Sequence, residues 1–264
     1  MTERSSEGLD VRRRKLLFRA WRRGVREMDL IVGRFADACI DKFDAAELDE
    51  FGGALLPPLL TPDEAEQIRT LYGEAGRFRA TINMAQHRFG RGEYRYFKAP
   101  YPEPVEGLKQ ALYPRLLPIA RDWWAKLGRS APWPDTLDEW LQICHDAGQC
   151  RSTAILLRYG EGDWNALHRD LYGEMVFPLQ VVINLNEPGI DHTGGEFLLM
   201  EQRLRAQSRG TATLVPHCRG YLFTTRDRPV ESARGWSAAP VRHGVSVLRS
   251  GHRHTLGLVF HDAQ

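Results

Sequence analysis

Two residues of a kind that binds metal ions stand two positions apart near the middle of the sequence. His168 and Asp170 occur in HRDLYGEMVFPLQVVINL, where a mostly apolar run follows them. On extended backbone, side chains two residues apart project to the same side of a strand, so this imidazole and this carboxylate can reach one ion. Because a chain with nine histidines and 34 acidic residues contains such a pair by chance, a further ligand is required.

The best third ligand is His243, which lies 73 residues after Asp170 in VRHGVSVLRSG. Two histidines and one carboxylate on one face of a metal leave three positions open, as in the non-haem Fe(II) oxygenases. Those positions have room for 2-oxoglutarate and O₂. His252 and His254 are the alternative third ligands if the strand register differs, whereas His261 is expected to be a core or edge residue.

A 2-oxoglutarate cosubstrate has a second carboxylate that must be held away from the metal. Arginine suits this role because its planar fork matches a carboxylate and because it keeps its charge when buried. Arg253 lies ten residues after His243 and is the predicted partner. Arg249, six residues after His243, is the alternative.

The elements that must position these residues predict a mainly β fold with flanking helices. After about residue 153 the chain contains the short apolar or alternating runs TAILLRYG, VFPLQVVINLN, EFLLME, TATLVP, GYLFTT, HGVSVL and RHTLGLVFHD. Turn residues separate most of these runs, which favours a sandwich or a double-sheet jelly roll. Residues 153–264 are therefore predicted to form the β core and residues 53–150 a helical part before it.

The composition is that of a globular chain of 264 residues, with 42% hydrophobic and 27% charged residues and a net charge of +2. That length allows one full core plus an appendage. No apolar run approaches the ~20 residues needed to span a bilayer, so we expect a cytoplasmic protein with no membrane contact. The appendage is a small helical segment at residues 12–52, preceded by a loose tail at residues 1–11.

The helical segment resembles the first part of the small assembly factors that help attach flavin to succinate dehydrogenase. The R-G-x-x-E motif of that family corresponds to Arg23, Gly24 and Glu27. The acidic and aromatic second half of the family is missing after Phe51, so the resemblance implies a truncated domain. It also implies a protein partner for the basic helices.

The pattern H-x-D, distal H and R resembles the iron(II)/2-oxoglutarate-dependent oxygenase superfamily, whose fold is a double-stranded β-helix of the jelly-roll, cupin-like kind. A closer resemblance over about residues 53–264 is to a bacterial oxygenase family labelled as acting on alkylated, damaged DNA; it rests on ALLPPLLTP, FGRGEYRYF, HRDLYGEMVFPLQVVINL, TGGEFLLMEQR, RHGVSVLRSG and RHTLGLVFHDA. These resemblances imply that His168, Asp170 and His243 bind iron and that Arg253 and Tyr159 bind 2-oxoglutarate. The implied cofactors are Fe(II), 2-oxoglutarate and O₂, with ascorbate as a candidate reductant.

The substrate side of the sequence is less specific. Between Arg77 and Lys98, six basic residues and five aromatic residues accompany a single acid, Glu93. This mixture is suited to a phosphate backbone and an unstacked base, but a lid over another substrate has the same composition. The candidate substrate residues are Arg88, Arg91, Tyr94, Tyr96, Trp164 and Asn165.

Three functions are therefore open. The first is an oxygenase that hydroxylates a C–H bond, including an N-methyl group of alkylated DNA. The second keeps the same chemistry but acts on a protein side chain such as proline, as prolyl hydroxylases do, or on a small molecule. The third is a non-catalytic assembly module that docks a flavoprotein through its N-terminal helices.

Overall fold

The computed structural model describes residues 45–203, 206–233 and 235–264. The predicted tail at residues 1–11 and most of the predicted helical segment at residues 12–52 lie outside these ranges, as does its R-G-x-x-E motif. The last turns of that segment are described as helix α1 (Ala45–Phe51). Leu48 on α1 is fully buried in the main core, so the end of the segment packs against the domain that follows it.

Strands dominate the described ranges, and three longer helices accompany them. The helices after α1 are α2 (Pro62–Thr70), α3 (Glu103–Lys126) and α4 (Leu137–Asp146). The strands are β1 (Gly53–Pro58), β2 (Phe78–Asn83), β3 (Gly90–Arg91), β4 (Glu93–Phe97), β5 (Ile155–Tyr159), β6 (Trp164–His168), β7 (Leu179–Asn184), β8 (His192–Gly194), β9 (Phe197–Glu201), β10 (Arg209–Thr213), β11 (Arg219–Thr224), β12 (Asp227–Ser232), β13 (Gly235–Val245), β14 (Leu248–Gly251) and β15 (Arg253–Val259). The prediction of a mainly β chain with flanking helices is confirmed. Within the described part of the chain, no helix is both long and apolar enough to cross a membrane.

The strands form two main antiparallel sheets that pack against each other. The larger sheet has the order β1-β11-β7-β15-β5-β4-β2, and the smaller has the order β10-β9-β13-β6-β3 with β12 paired to β13. Strands β14 and β8 form a separate two-stranded ladder. Val182 and Phe223 of the larger sheet share a buried cluster with Phe197 and Val241 of the smaller sheet. The inner faces of the two sheets therefore pack against each other through a shared apolar cluster.

The opposite face of the larger sheet is covered by α3 and α4. Trp123 and Trp140 on these helices are fully buried, and the Trp140 indole donates a hydrogen bond of 2.7 Å to the carbonyl oxygen of Phe260. Neighbouring residues of a strand point to opposite faces. On β5, Leu156 accordingly packs into the core on the helical side, whereas Leu157 belongs to a cluster facing the smaller sheet.

The prediction that residues 53–150 are helical is right for Pro62–Thr70 but wrong for most of the rest of residues 53–97. This part contributes β1, β2, β3 and β4 to the sheets, and α2 is its only α-helix among the described residues. FRATIN alternates between half-buried and exposed residues, but EYRYF does not, and both are short and contain charged residues. β2 pairs with β4, and β4 pairs with β5, which is distant in sequence, so the local pattern of these strands is weak.

Candidate functional site

Three side chains predicted to bind a metal meet between the two sheets. The Nε2 atom of His243 lies 3.1 Å from Oδ2 of Asp170, and the Nε2 atom of His168 lies 3.5 Å from Oδ1. One donor atom from each residue lies within 4.8 Å of the other two, which is close enough for all three to hold one ion. Residues separated by 73 positions in the sequence are thus brought together by the sheet.

The pairing of β6 with β13 brings the two histidines together. His168 and His243 are cross-strand partners in this antiparallel ladder, and their ring centroids are 4.2 Å apart. Gly244 permits this close approach, because a Cβ atom there would lie 2.7 Å from the backbone oxygen of Asn165. The prediction that His168 and Asp170 lie on one strand is wrong. β6 ends at His168, and Asp170 lies in the irregular segment after it, beyond the β13 ladder.

The two imidazoles are held by different means. The carbonyl oxygen of Ala166 accepts a 2.7 Å hydrogen bond from Nδ1 of His168, which leaves Nε2 free to bind a metal. His243 is held by aromatic packing instead: its ring stacks on Phe197 at 5.9 Å and contacts Phe223 at 4.7 Å. Among the described residues, buried Nδ1 of His243 has no hydrogen-bond partner.

The electrostatics of the cluster favour an ionised carboxylate. Burial alone would raise the pKa of Asp170, but the neighbouring His243 and His168 hold it well below its usual range. Burial lowers the pKa of His243 despite the nearby carboxylate, and the neighbouring His168 lowers it further. Burial also acts to lower the pKa of His168, but its contact with Asp170 outweighs burial and raises it. The carboxylate and at least one neutral imidazole are ready to bind a cation near neutral pH.

His168, Asp170 and His243 form a candidate metal-binding cluster, hereafter the metal-binding cluster. It lines a cavity of about 400 Å³ that extends between the sheets. Arg253 and Tyr159 line the same cavity, and both are fully buried. They are cross-strand partners on β15 and β5, and the guanidinium carbon lies 5.6 Å from the centroid of the tyrosine ring. Arg249 is exposed on β14 and is absent from the cavity lining. The geometry therefore favours Arg253 over Arg249.

Two polar atoms of this pair lack partners. Nη1 of Arg253 and the hydroxyl oxygen of Tyr159 are buried, and neither has a hydrogen-bond partner within the described ranges. Burial raises the pKa of Tyr159 to about 12, so its hydroxyl remains a donor. An unpaired buried guanidinium is costly unless an anion joins it. A carboxylate of 2-oxoglutarate supplies that anion, and two histidines with a carboxylate are ligands that suit Fe(II), so the residues present fit both groups.

Comparison with known proteins agrees with this chemistry. Residues 92–263, more than half of the chain, match the family described as "Oxygenase, catalysing oxidative methylation of damaged DNA". The chain belongs to this oxygenase family. The matched range of the oxygenase contains all three residues of the metal-binding cluster as well as Arg253 and Tyr159.

Different regions of the oxygenase are similar to different proteins. Uncharacterized proteins from two strains of Mycobacterium tuberculosis are 70% identical over 167 residues, which is 63% of this chain and 72% of theirs. Residues 14–56 match the family described as "Flavinator of succinate dehydrogenase". The mitochondrial succinate dehydrogenase assembly factor 2 of Debaryomyces hansenii is 38% identical over 56 residues, or 21% of this chain and 39% of that protein.

Solved structures give a more distant likeness. A prolyl-4-hydroxylase of Pseudomonas putida is 15% identical with a TM-score of 0.49, over 80% of this chain and 93% of its own. A 2OG-Fe(II) oxygenase family protein of Burkholderia pseudomallei is 16% identical with a TM-score of 0.44, over 83% of this chain and 90% of its own.

The six candidate substrate residues are divided between two locations. Tyr94, Tyr96 and Asn165 line the cavity of the metal-binding cluster. Arg88, Arg91 and Trp164 do not line it; they are exposed near the β3–β6 pair, in which Arg91 faces Trp164. Arg91 instead lines a separate groove of about 730 Å³, together with the other two candidate third ligands, His252 and His254. Neither histidine joins the metal-binding cluster.

Several residues of the site were not predicted from the sequence. Phe89 lines the cavity and is still 47% exposed, which places it at the mouth. Tyr172 donates a hydrogen bond of 2.9 Å to Oδ1 of Asp170. The sequence signal for Tyr172 was its position two residues after Asp170. Phe197 and Phe223 carry no such signal, because in the sequence they are ordinary apolar strand residues.

Proposed function

We propose that the chain is an Fe(II)- and 2-oxoglutarate-dependent dioxygenase that hydroxylates a substrate C–H bond. The observation that carries this proposal is the meeting of His168, Asp170 and His243 in a cavity that also contains a buried, unpaired arginine. We assign the two packed sheets to the double-stranded β-helix fold, and residues 53–264 to the oxygenase domain.

Each site residue has a distinct task in this function. His168 and His243 would hold the iron through Nε2, with Asp170 as the third ligand, and the remaining coordination positions are left for reactants. The iron supplies the oxidising chemistry that couples conversion of 2-oxoglutarate and O₂ into succinate and CO₂ to hydroxylation of the substrate. Arg253 would bind the distal carboxylate of 2-oxoglutarate by charge-assisted hydrogen bonds, and the Tyr159 hydroxyl would donate another.

For the substrate we propose an alkylated nucleobase in DNA. Hydroxylation of an N-methyl group gives an N-hydroxymethyl group, which breaks down to the free N–H and formaldehyde. Tyr94, Tyr96 and Phe89 offer aromatic faces against which an extruded base can stack, and exposed Arg88 and Arg91 offer charges for phosphate. The family description supports this substrate.

The oxygenase chemistry is tested by succinate formation. Protein reconstituted anaerobically with Fe(II) is given 2-oxoglutarate and O₂, and wild type is compared with His168→Ala and with His217→Ala, a histidine outside the cavity lining. We expect succinate from wild type and from His217→Ala, and background levels from His168→Ala. Folded wild-type protein that neither binds Fe(II) nor forms succinate would exclude the proposal and leave the non-catalytic module.

The substrate is tested by comparing methylated single-stranded oligonucleotide, the same oligonucleotide without methyl groups, a proline-rich peptide and a small-molecule N-methyl amine. We expect formaldehyde from the methylated oligonucleotide alone, and a weaker response in Arg88→Ala and Arg91→Ala. Hydroxylation of the peptide would instead make the chain a protein hydroxylase, and formaldehyde from the amine a small-molecule hydroxylase.

The N-terminal match supports a separate proposal, namely that residues 12–52 bind a flavoprotein partner. Its test is binding of the purified flavoprotein subunit of succinate dehydrogenase to the full chain and to Arg23→Ala and Glu27→Ala. We expect both substitutions to weaken binding and to leave succinate formation unchanged, because the matched region, residues 14–56, does not include the metal-binding cluster.

A further inference from the structure

The two carboxylate oxygens of Asp170 have different surroundings. Oδ2 lies 3.1 Å from Nε2 of His243. Oδ1 lies farther from the nearest imidazole, 3.5 Å from Nε2 of His168, and it also accepts a 2.9 Å hydrogen bond from the hydroxyl of Tyr172. The Tyr172 oxygen in turn accepts a 3.5 Å hydrogen bond from the hydroxyl of Tyr96. The chain of donors runs in one direction, from Tyr96 to Tyr172 to Asp170, so the only proton of the Tyr172 hydroxyl is directed at Oδ1.

The backbone around Tyr172 is anchored from several sides. Its carbonyl oxygen accepts a hydrogen bond of 3.1 Å from the amide of Gln264, and its ring lies 6.1 Å from that of His261. Gly173 has a φ of +154° and lies against the buried side chain of Gln149, where a Cβ atom would be 2.3 Å from Oε1. The position of the hydroxyl is therefore set by the C-terminal end of the chain and by a buried glutamine.

Gln149 links the same segment to Asp262 by three hydrogen bonds, two to the segment and one to Asp262. Its amide nitrogen donates to the carbonyl oxygens of Met175 and Asp262, at 3.0 and 2.6 Å, and its amide oxygen accepts from the amide of Met175 at 2.7 Å. Both amide protons of Gln149 and one lone pair of its amide oxygen are therefore bonded to backbone groups. A segment held in this way can keep a hydroxyl at a constant distance from a metal ligand.

We propose that Tyr172 is a positioning residue that restricts Asp170 to binding the metal through Oδ2 alone. The inference rests on the proposed function. A carboxylate that binds through both oxygens occupies two coordination positions, and one oxygen engaged by a hydroxyl donor leaves the other to the metal. Groups that hydrogen-bond to metal ligands orient them and raise the affinity of the site. Tyr172 thus keeps a position open for the reactants.

The test uses Co(II) in the full chain, without 2-oxoglutarate or substrate. Wild type is compared with Tyr172→Phe and with Tyr113→Phe, a matched control whose buried hydroxyl donates to the carbonyl oxygen of Pro134. We expect the dissociation constant for Co(II) to rise by about tenfold to a hundredfold in Tyr172→Phe. We also expect the visible absorption of bound Co(II) to shift, because the freed Oδ1 becomes a ligand; neither value should change in Tyr113→Phe.

Two further measurements separate the outcomes. Thermal unfolding of the metal-free proteins shows whether Tyr172→Phe is folded. If it is not, Tyr96→Phe, which removes the hydroxyl that donates to the Tyr172 oxygen and so loosens the position of Tyr172, is expected to shift the Co(II) absorption in the same direction by a smaller amount. Unchanged affinity and absorption in a folded Tyr172→Phe would overturn this inference while leaving the oxygenase proposal intact. Wild type that binds no Co(II) or Fe(II) would instead overturn the oxygenase proposal.

Discussion

Arg253 and Tyr159 face each other across the β15–β5 ladder, and both side chains are buried in the cavity that holds the metal-binding cluster. Burial lowers the pKa of Arg253, although the nearby Tyr159 and Glu196 act to raise it. An anionic ligand would supply a partner for Nη1 of Arg253, which has none among the described residues. Arg253 is therefore expected to strengthen the binding of 2-oxoglutarate but not to stabilise the ligand-free protein.

Arg253→Met is expected to weaken 2-oxoglutarate binding by about tenfold to a hundredfold, because hydrogen bonds to charged groups contribute ~1.5–3 kcal/mol. It should not lower the unfolding free energy of the ligand-free protein, since it removes a buried charge that forms no ion pair within the described ranges. Isothermal titration with 2-oxoglutarate measures the affinity. Urea denaturation with and without 2-oxoglutarate measures the unfolding free energy. Arg249→Met is the control, and a larger loss of binding in that variant would reverse the assignment.

Gly244→Ala is expected to separate the two metal-binding histidines. The new Cβ would lie 2.7 Å from the Asn165 oxygen and 3.2 Å from that of Ala166, the acceptor for His168, so β6 must move away from β13. We expect Co(II) affinity to fall by at least about tenfold and the unfolding free energy to fall by ~1–3 kcal/mol.

Gly210→Ala is the matched control, because a Cβ there would meet only the flexible end of Met200, at 3.3 Å. If both alanine variants bind Co(II) as wild type does, the β6–β13 contact does not control the distance between the ligands.

Arg228→Met is expected to lower the unfolding free energy by about 3 kcal/mol. Arg228 and Glu201 form an ion pair in which both side chains are buried, and Arg228 also donates to the backbone oxygen of Asp49 on α1. Removal of one partner leaves a buried charge uncompensated. The loss should be at the low end of the usual range, because Arg203 still pairs with Glu201.

Urea denaturation measures this loss, and Arg77→Met is the comparison. Arg77 pairs with Glu74 on the surface, so its replacement should change the unfolding free energy by less than about 1 kcal/mol. Equal effects in the two variants would show that burial does not strengthen the Arg228 pair.

His261 is expected to make the unfolding free energy depend on pH. Burial lowers the pKa of this fully buried histidine to about 4, against 6.5 ordinarily. Between these values the unfolded chain binds the proton and the folded protein does not, so the contribution is fully present above pH 6.5 and is lost as the pH falls towards 4. The loss is about 3 kcal/mol.

Denaturation of the metal-free protein at a series of pH values measures this effect. His261→Gln should reduce the slope of the curve between pH 4 and 6.5, and part of the slope should remain because burial also lowers the pKa of His254 to about 4. His87→Gln, at an exposed position, is the control. An unchanged slope in His261→Gln would show that this histidine is protonated equally in both states.

The ligand types of the candidate site could be predicted from the sequence, because two histidines and a carboxylate are metal ligands by their own chemistry, whatever fold brings them together. The strands between residues 53 and 97 were missed because they are short and because their partners are distant in sequence. β1 pairs with β11, β3 with β6 and β4 with β5.

What the sequence by itself determined is therefore the kind of ligands and their spacing, with two arginines, Arg253 and Arg249, within ten residues of His243. The tertiary structure decided the rest: the register that sets His243 opposite His168, the departure of Asp170 from the strand, the burial of Arg253 but not Arg249, and the hydroxyl of Tyr172 on Oδ1. These features depend on ladders and packing between segments far apart in the chain. No local pattern encodes them, because a register becomes defined only when two distant strands bury their faces together.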